Sequence, residues 1–249
     1  DIGRMETTAV KDGDYYVLNG TKTYTTAIDV SDFGLVMTVT DWEKRRKEGV
    51  TCFVVEKDTP GLTLSREIEV MGRRGVKTFE VFFDNCRVPA ENVLGGVGQG
   101  LEVARAELDS MRLALSAACL GTAERALEMM KSYAKQRVTF GEPLARRQAI
   151  QQMIVRAETD VYASRLMLYE AATEADQRKD IHIKAMMIKV FITEMTVRVV
   201  DRAIQVHGGL GYSKDLPLEM MYRDTRLHTI GDGATEVLEW SIARSILRD

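Results

Sequence analysis

The chain has 249 residues, 45% apolar and 29% charged, enough to bury a sizeable core as one large domain or two ordinary ones. Its formal net charge of -3 leaves no basic surplus to neutralise phosphates, which argues against a nucleic-acid partner. No apolar run approaches the roughly 18–20 residues of a membrane span, and the three histidines lack paired ligand spacing, so no metal site is expected.

The first residues, Asp1-Ile2-Gly3-Arg4, carry neither a charged n-region nor an apolar h-region, so no signal peptide is expected. Short runs rich in β-branched and aromatic residues follow: Tyr15–Leu18, Phe33–Val39, Thr51–Val55 and Phe79–Phe83. Turn signals separate them at Asp12-Gly13-Asp14, Asn19-Gly20, Thr59-Pro60-Gly61 and Asp84-Asn85. This punctuation predicts a compact antiparallel β barrel or sandwich. The basic run Lys44–Glu48 is short and has acidic neighbours, so it reads as a solvated hairpin loop. In Asn19–Thr26 a strand leaves a turn, and a period of two puts Tyr24 and Thr26 on one face. That face can wall a flat heterocycle or be an ordinary half-buried strand surface. Cys52, Cys86 and Cys119 are odd in number and widely spaced, and read as small buried side chains in a reducing compartment.

From Gly98 the apolar period changes to three and four. Leu101, Ala104, Leu108, Met111, Leu115, Ala118, Thr122, Ala126, Met129 and Tyr133 form one stripe along a long helix. A second helix is expected through Arg147–Ala175, a third over Ile181–Val206, and a shorter one after Thr235. Long helices with short polar connections pack as an antiparallel four-helix bundle. The break at Val88-Pro89 and Gly95-Gly96 sets the boundary: a β domain over 1–95 and a helical domain over 96–249, α+β in class.

Four polar segments interrupt the helical half. Asp109 and Arg112, three apart on one helix, can read a polar ligand or pair with each other. Gln136-Arg137-Val138-Thr139-Phe140-Gly141 offers a planar cation, a hydroxyl and an aromatic surface suited to a phosphate-bearing ligand. It can equally be a helix C-terminus, with a basic residue on the dipole and glycine ending the turn. Gln205-Val206-His207-Gly208-Gly209-Leu210-Gly211 lets backbone approach a ligand closely, or simply stops a helix; His207 reads as packed or bonded to backbone. In Ile230-Gly231-Asp232-Gly233-Ala234-Thr235-Glu236-Val237 a carboxylate stands between two glycines. It reads as an acid reaching a ligand or as the cap of the following helix.

Taken together, these stretches resemble the acyl-CoA dehydrogenase family in order and separation, with Arg223-Asp224 as a further match, over essentially the whole chain. The resemblance implies the middle β domain and C-terminal four-helix bundle of that fold, without its N-terminal helical domain. It implies FAD as cofactor, an acyl-CoA substrate, an electron-transfer flavoprotein as redox partner, and a homo-oligomer, dimer or tetramer. The implied compartment is the bacterial cytoplasm, or the mitochondrial matrix in a eukaryote. By resemblance Tyr24 and Thr26 stand beside the flavin ring. Arg137, Thr139, Phe140, Gln148, Gln205, Gly208, Gly209 and Glu236 hold the rest of the dinucleotide, in part across a subunit interface. Asp109, Arg112 and Gly233 lie near the substrate.

Asp232 falls where many family members carry a glutamate base. That carboxylate removes the proton α to the thioester while the β-hydrogen leaves as hydride to the flavin. The alternative family position for the base is occupied here by Met111, which cannot serve. Aspartate reaches about 1.5 Å less than glutamate. Gly231 stands where straight-chain enzymes often carry a large residue, and Ala234 lacks a hydroxyl often offered to flavin. The shorter acid and the extra room imply a branched, cyclic or otherwise bulky acyl group. Two further readings share the scaffold: a non-catalytic binding subunit, and a flavin-dependent acyl-CoA reductase or oxidase.

Overall fold

In a computed structural model the described residues are 4–44 and 47–248, and they divide into two compact units, 1–107 and 108–249. Arg45 and Arg46, in the basic run expected to form a loop, lie outside the described residues.

The first unit is one seven-stranded sheet. Its strands are β1 (Thr8–Asp12), β2 (Tyr15–Thr26), β3 (Phe33–Val39), β4 (Val50–Glu56), β5 (Leu62–Leu64), β6 (Thr78–Pro89) and β7 (Val93–Leu94). They are ordered β5-β6-β2-β1-β3-β4-β7, antiparallel throughout except where β1 meets β3. Alternate residues of β2, β4 and β6 supply the core: Leu18, Phe53, Val55, Val81, Phe83 and Val88 are all buried, with Tyr16 edge-on to Phe53 at 5.0 Å. Cys52 and Cys86 are buried here, and burial pushes both thiols up from their ordinary pKa.

Two expected turns are instead bulges inside long strands. Asn19-Gly20 continues β2, and Asp84-Asn85 continues β6. Between the pairs Leu18↔Cys86 and Gly20↔Phe83, β6 carries one extra residue; between Lys22↔Val81 and Thr25↔Phe79 the extra residue is on β2. Asn85 takes the left-handed φ of 51° at the first bulge, where its N–H donates to Asn19 Oδ1 at 2.8 Å. Gly20 is glycine for a steric reason as well, since a Cβ there would stand 2.7 Å from Thr7 Cα. At the second bulge Tyr24 has φ 56°, so the two-residue period is interrupted between it and Thr26. The expected shared face therefore does not follow from alternation.

The second unit is helical. α1 (Gly100–Gln136) begins in the first unit and is followed by a two-stranded hairpin, β8 (Val138–Thr139) and β9 (Glu142–Pro143). Then come α2 (Gln148–Asp176), α3 (His182–His207), the single turn α4 (Gly209–Tyr212), α5 (Leu218–Arg226) and α6 (Thr235–Ile246). The long helices match the expected spans, and their short connections make antiparallel neighbours. Their apolar stripes meet in one core containing Cys119, Ala126, Met130, Val161, Leu168, Ile192, Met195 and Val199. On α1 the buried stripe is displaced from the expected one by about a residue: Arg112, Ser116, Cys119, Ala123, Leu127, Met130 and Ala134 face the core, while Met111 and Ala118 are exposed. α3 is central and packs against α2, α5 and α6. α5, absent from the expected elements, starts after Pro217 and buries Leu218 completely. Among the described residues no helix is long and apolar enough to cross a membrane, and no cluster of His, Cys, Asp or Glu has the makings of a metal site.

Candidate active site

The segment leading out of α5 ends in a tight turn. Gly231 N–H donates to Leu227 O at 2.9 Å, and then two residues in succession take positive φ, Asp232 at 54° and Gly233 at 103°. For aspartate this backbone is uncommon and costs about 1 kcal/mol unless its surroundings hold it. The turn does not cap α6. Ala234 occupies the N-cap position, with no side-chain cap hydrogen bond, and the half-buried Asp232 carboxylate accepts no hydrogen bond from the described residues. The backbone is what is held. Lys189 Nζ donates to Gly233 O at 2.6 Å, and Arg112 Nε reaches Asp232 O at 3.4 Å. Gly233 is required on two counts, its φ and the 2.8 Å approach of Leu238 Cδ2 to any added Cβ. Gly231 is not: a Cβ there would meet only Leu227 O, at an ordinary 3.7 Å.

Asp109 and Arg112 sit next to this turn and pair with each other, Nη1 to Oδ1, at 3.2 Å. The same carboxylate faces His182 Nδ1 at 2.8 and 3.0 Å. Arg112 is only 6% exposed, so its charge is offset inside the protein rather than by water. Sequence reading missed both His182 and Lys189. The signal for Lys189 was present: a lysine inside the buried stripe of α3.

A second group forms at the other end of α1. Phe140 and Gly141, with φ of 51° and 81°, make a two-residue turn with positive φ at both positions, the geometry favoured between antiparallel strands. A β-hairpin, not a plain helix terminus, thus follows Gln136. Phe140 stands at its tip, 97% exposed. Arg147, the residue before α2, braces the hairpin through a 2.9 Å bond from Nη2 to Thr139 O, with its guanidinium 5.9 Å from the Phe140 ring centre. Arg137 is exposed, and its side chain has no partner among the described residues. Gln148, the first residue of α2, is exposed as well.

α3 ends at Gly208, with φ 60° and ψ -137°, a backbone suited to glycine. His207 is buried; its Nδ1 lies 2.7 Å from Ala203 O, and its ring stacks on Tyr133 of α1 at 4.3 Å. It is a packed residue, as expected. The stacking ties the end of α3 to the last turn of α1, from which the hairpin springs. A Cβ added at Gly208 or Gly209 would meet nothing within 4 Å, whereas at Gly211 it would lie 2.6 Å from Ile204 O. Gly211 is thus a packing glycine, and the backbone at 208–209 is open to approach. Gln205 is exposed beside it. Glu236, exposed in the first turn of α6, lines a cleft of about 360 Å³ with Arg198, Arg226 and Thr229. Arg223 is held in its own helix by Glu219 at 2.8 Å.

Tyr24 and Thr26 belong to the β unit. Tyr24 is 71% exposed at its bulge, and the Thr26 hydroxyl lies 3.2 Å from that of Thr78. Lys22, on the same strand, is pushed down to about 8 by burial.

Chemically, the helical unit offers two things. One is a carboxylate without hydrogen-bond partners among the described residues, on a backbone whose carbonyls are held by cations. The other is a free guanidinium, an exposed aromatic ring and open backbone at a helix end, a donor set that fits an anionic ligand carrying a flat ring.

Comparison with known proteins reads the same segments. The family model described as the acyl-CoA dehydrogenase middle domain matches residues 1–86, and that of the acyl-CoA dehydrogenase C-terminal domain matches residues 98–247. Cyclohexane-1-carbonyl-CoA dehydrogenase of Geobacter metallireducens is 39% identical over 249 residues, covering 100% of this chain and 65% of its own. The caffeyl-CoA reductase-Etf complex subunit CarC of Acetobacterium woodii is 36% identical over 248 residues, with 100% and 65% covered. The structure of butyryl-CoA dehydrogenase from Megasphaera elsdenii superposes with a TM-score of 0.95 at 34% identity, over 99% of this chain and 64% of that one. The chain thus spans about two thirds of the length of these relatives. Two domain models matched in succession, over a fold that superposes almost throughout, place the chain in the acyl-CoA dehydrogenase family.

Proposed function

We propose that the full-length protein is an FAD-dependent acyl-CoA dehydrogenase that desaturates an acyl-CoA thioester, with Asp232 as the base. The observation that carries this reading is the Asp232 turn: the carboxylate has no hydrogen-bond partner among the described residues, while the carbonyls of Asp232 and Gly233 are each held by a buried cation. A proton acceptor needs that combination of free oxygen atoms and a fixed backbone. In the reaction the carboxylate takes the proton α to the thioester carbonyl. Bound FAD supplies the redox chemistry by accepting the β-hydrogen as hydride.

The donor set supports FAD in particular. Arg137 and Thr139 suit the pyrophosphate, Phe140 an aromatic ring, and the open Gly208–Gly209 backbone a close approach. Gln148, Gln205 and Glu236 are exposed at the ends of their helices and free to join them. Tyr24 and Thr26 are assigned to the flavin ring, and Asp109, Arg112 and Gly233 to the substrate side. In that assignment Asp109 and Arg112 act through the backbone of the turn, since their side chains are already paired.

A cyclic or branched acyl group is favoured by Gly231, whose glycine no backbone contact requires, and by similarity to a cyclohexane-1-carbonyl-CoA dehydrogenase. An electron-transfer flavoprotein is the proposed electron acceptor. Self-association is proposed through the outer face of α2, where Val155, Tyr162, Leu166 and Tyr169 are exposed in one stripe opposite the buried one. Similarity to a caffeyl-CoA reductase-Etf complex subunit supports a second reading, the same site working in the reductive direction.

The test is Asp232→Asn in the full-length flavoprotein, assayed with straight and cyclic acyl-CoAs. Turnover is expected to fall by about 100-fold or more with the flavin spectrum retained. Undiminished turnover would assign the base to another residue. A clear straight-chain preference of the native protein would refute the substrate assignment, and reduction of an enoyl-CoA in preference to oxidation would favour the second reading.

A further inference from the structure

α3 carries one lysine inside its buried face. Its buried stripe runs through Ala185, Met186, Ile188, Ile192, Met195, Val199, Val200 and Ala203, and within it Lys189 has no exposed surface at all, 0%. A methionine would fill such a slot without taking an ammonium out of water, so the charge itself calls for an explanation. Its Nζ donates a short, charge-assisted bond of 2.6 Å to Gly233 O, directly behind Asp232. Burial pushes the lysine pKa down. Attraction to Asp232 is the largest influence holding it up, with smaller ones from Cys119 and Glu236, while Arg112 repels it. The turn it grips has two successive residues at positive φ, one of them not glycine. Such backbone persists only where surrounding contacts over-determine it. Of the two cations on the turn, Lys189 makes the shorter bond; the one from Arg112 is 3.4 Å.

We propose that Lys189 is a positioning residue for the base: its buried ammonium fixes the Gly233 carbonyl, holds the Asp232–Gly233 turn in its left-handed form, and attracts the carboxylate. The proposal rests on Asp232 being the base, and it adds an electrostatic coupling between α3 and the turn that can be measured without turnover.

The experiment is a double-mutant cycle in the full-length flavoprotein, read by thermal melting, with Lys189→Met and Asp232→Asn singly and together. Asp232→Asn leaves a buried cation without its counter-charge, so it is expected to lower the melting temperature by about 2–4 °C in the native background and to leave it unchanged in the Lys189→Met background. Shifts that add overturn the coupling. If Lys189→Met does not fold, Lys189→Gln, which keeps a donor for the carbonyl, replaces it in the cycle. An Asp232→Asn protein with the native melting temperature overturns the proposal without either lysine variant. In kinetics, Lys189→Met is expected to lose about 100-fold in kcat through misplacement of the carboxylate, with KM for the acyl-CoA within about threefold. A raised KM with unchanged kcat also overturns it. Should Asp232→Asn retain turnover while the melting cycle shows coupling, the base assignment fails and the lysine contact stands.

Discussion

Replacing Gly209 by alanine separates what the end of α3 needs for folding from what a ligand needs there. Gly209 opens α4 with no positive φ, and an added Cβ has no atom within 4 Å. Nothing in the chain itself therefore demands glycine. Alanine should leave stability within about 0.5 kcal/mol of native or raise it by up to about 1 kcal/mol through helix propensity. Gly208 is the control, equally open but with φ 60° and ψ -137°, so alanine there should cost about 1–3 kcal/mol of backbone strain. If a dinucleotide packs directly on this backbone, a methyl at 209 intrudes on the ligand. Overpacking of that kind costs about 1–3 kcal/mol, or about 5- to 150-fold in Kd. The assay is isothermal titration of FAD into full-length apoprotein, paired with thermal melting of each variant. Gly209→Ala with native stability and weakened FAD binding is the expected result. Native affinity in both variants would refute the idea that the open backbone serves the cofactor.

Two further expectations concern other parts of the molecule. Lys22 has a folded pKa of about 8 against an ordinary 10.5, so the unfolded chain binds more protons between those values and stability rises with pH across that window. Lys22→Met should accordingly raise the melting temperature below pH 8, with the gain shrinking to nothing by about pH 10.5; a gain independent of pH over that range would contradict the burial argument. Leu166→Glu places a charge in the exposed stripe of α2 and should shift sedimentation of the full-length protein toward smaller species without lowering its melting temperature below that of the native subunit. An unchanged assembly would remove α2 as the contact.

The helical half was legible because burial imposes a period that local sequence displays: the spans of α1, α2 and α3 were readable to within a few residues, although the stripe expected on α1 lies beside the buried one. α5 escaped, being nine residues long with most of its surface polar, and declared only by Leu218 in the core. The β half misled in one respect. Asn19-Gly20 and Asp84-Asn85 are strong local turn signals, yet each is held within a long strand, at a bulge, by pairing to a strand more than 60 residues away, a contact no window of sequence contains. The candidate site shows the same division. Asp232 was conspicuous between its glycines, but what holds its turn lies in α3 and α1, where Lys189 and Arg112 bind the carbonyls of Gly233 and of Asp232 itself. Arg137 and Phe140 stand out in the sequence by residue type, whereas the hairpin that presents them follows from two positive φ angles, one at a phenylalanine.

The two bulges between β2 and β6 have a consequence for how this sheet can change. Each inserts a single residue, but on opposite strands, so the pairing before the first and after the second is in the same register. The extra residue is unpaired in each case, so deleting either one would close its own bulge and leave the pairs on both sides as they are. What would be lost is local: the left-handed residue at that point, Asn85 at one bulge and Tyr24 at the other, and with it the extra bend and twist of the ribbon there.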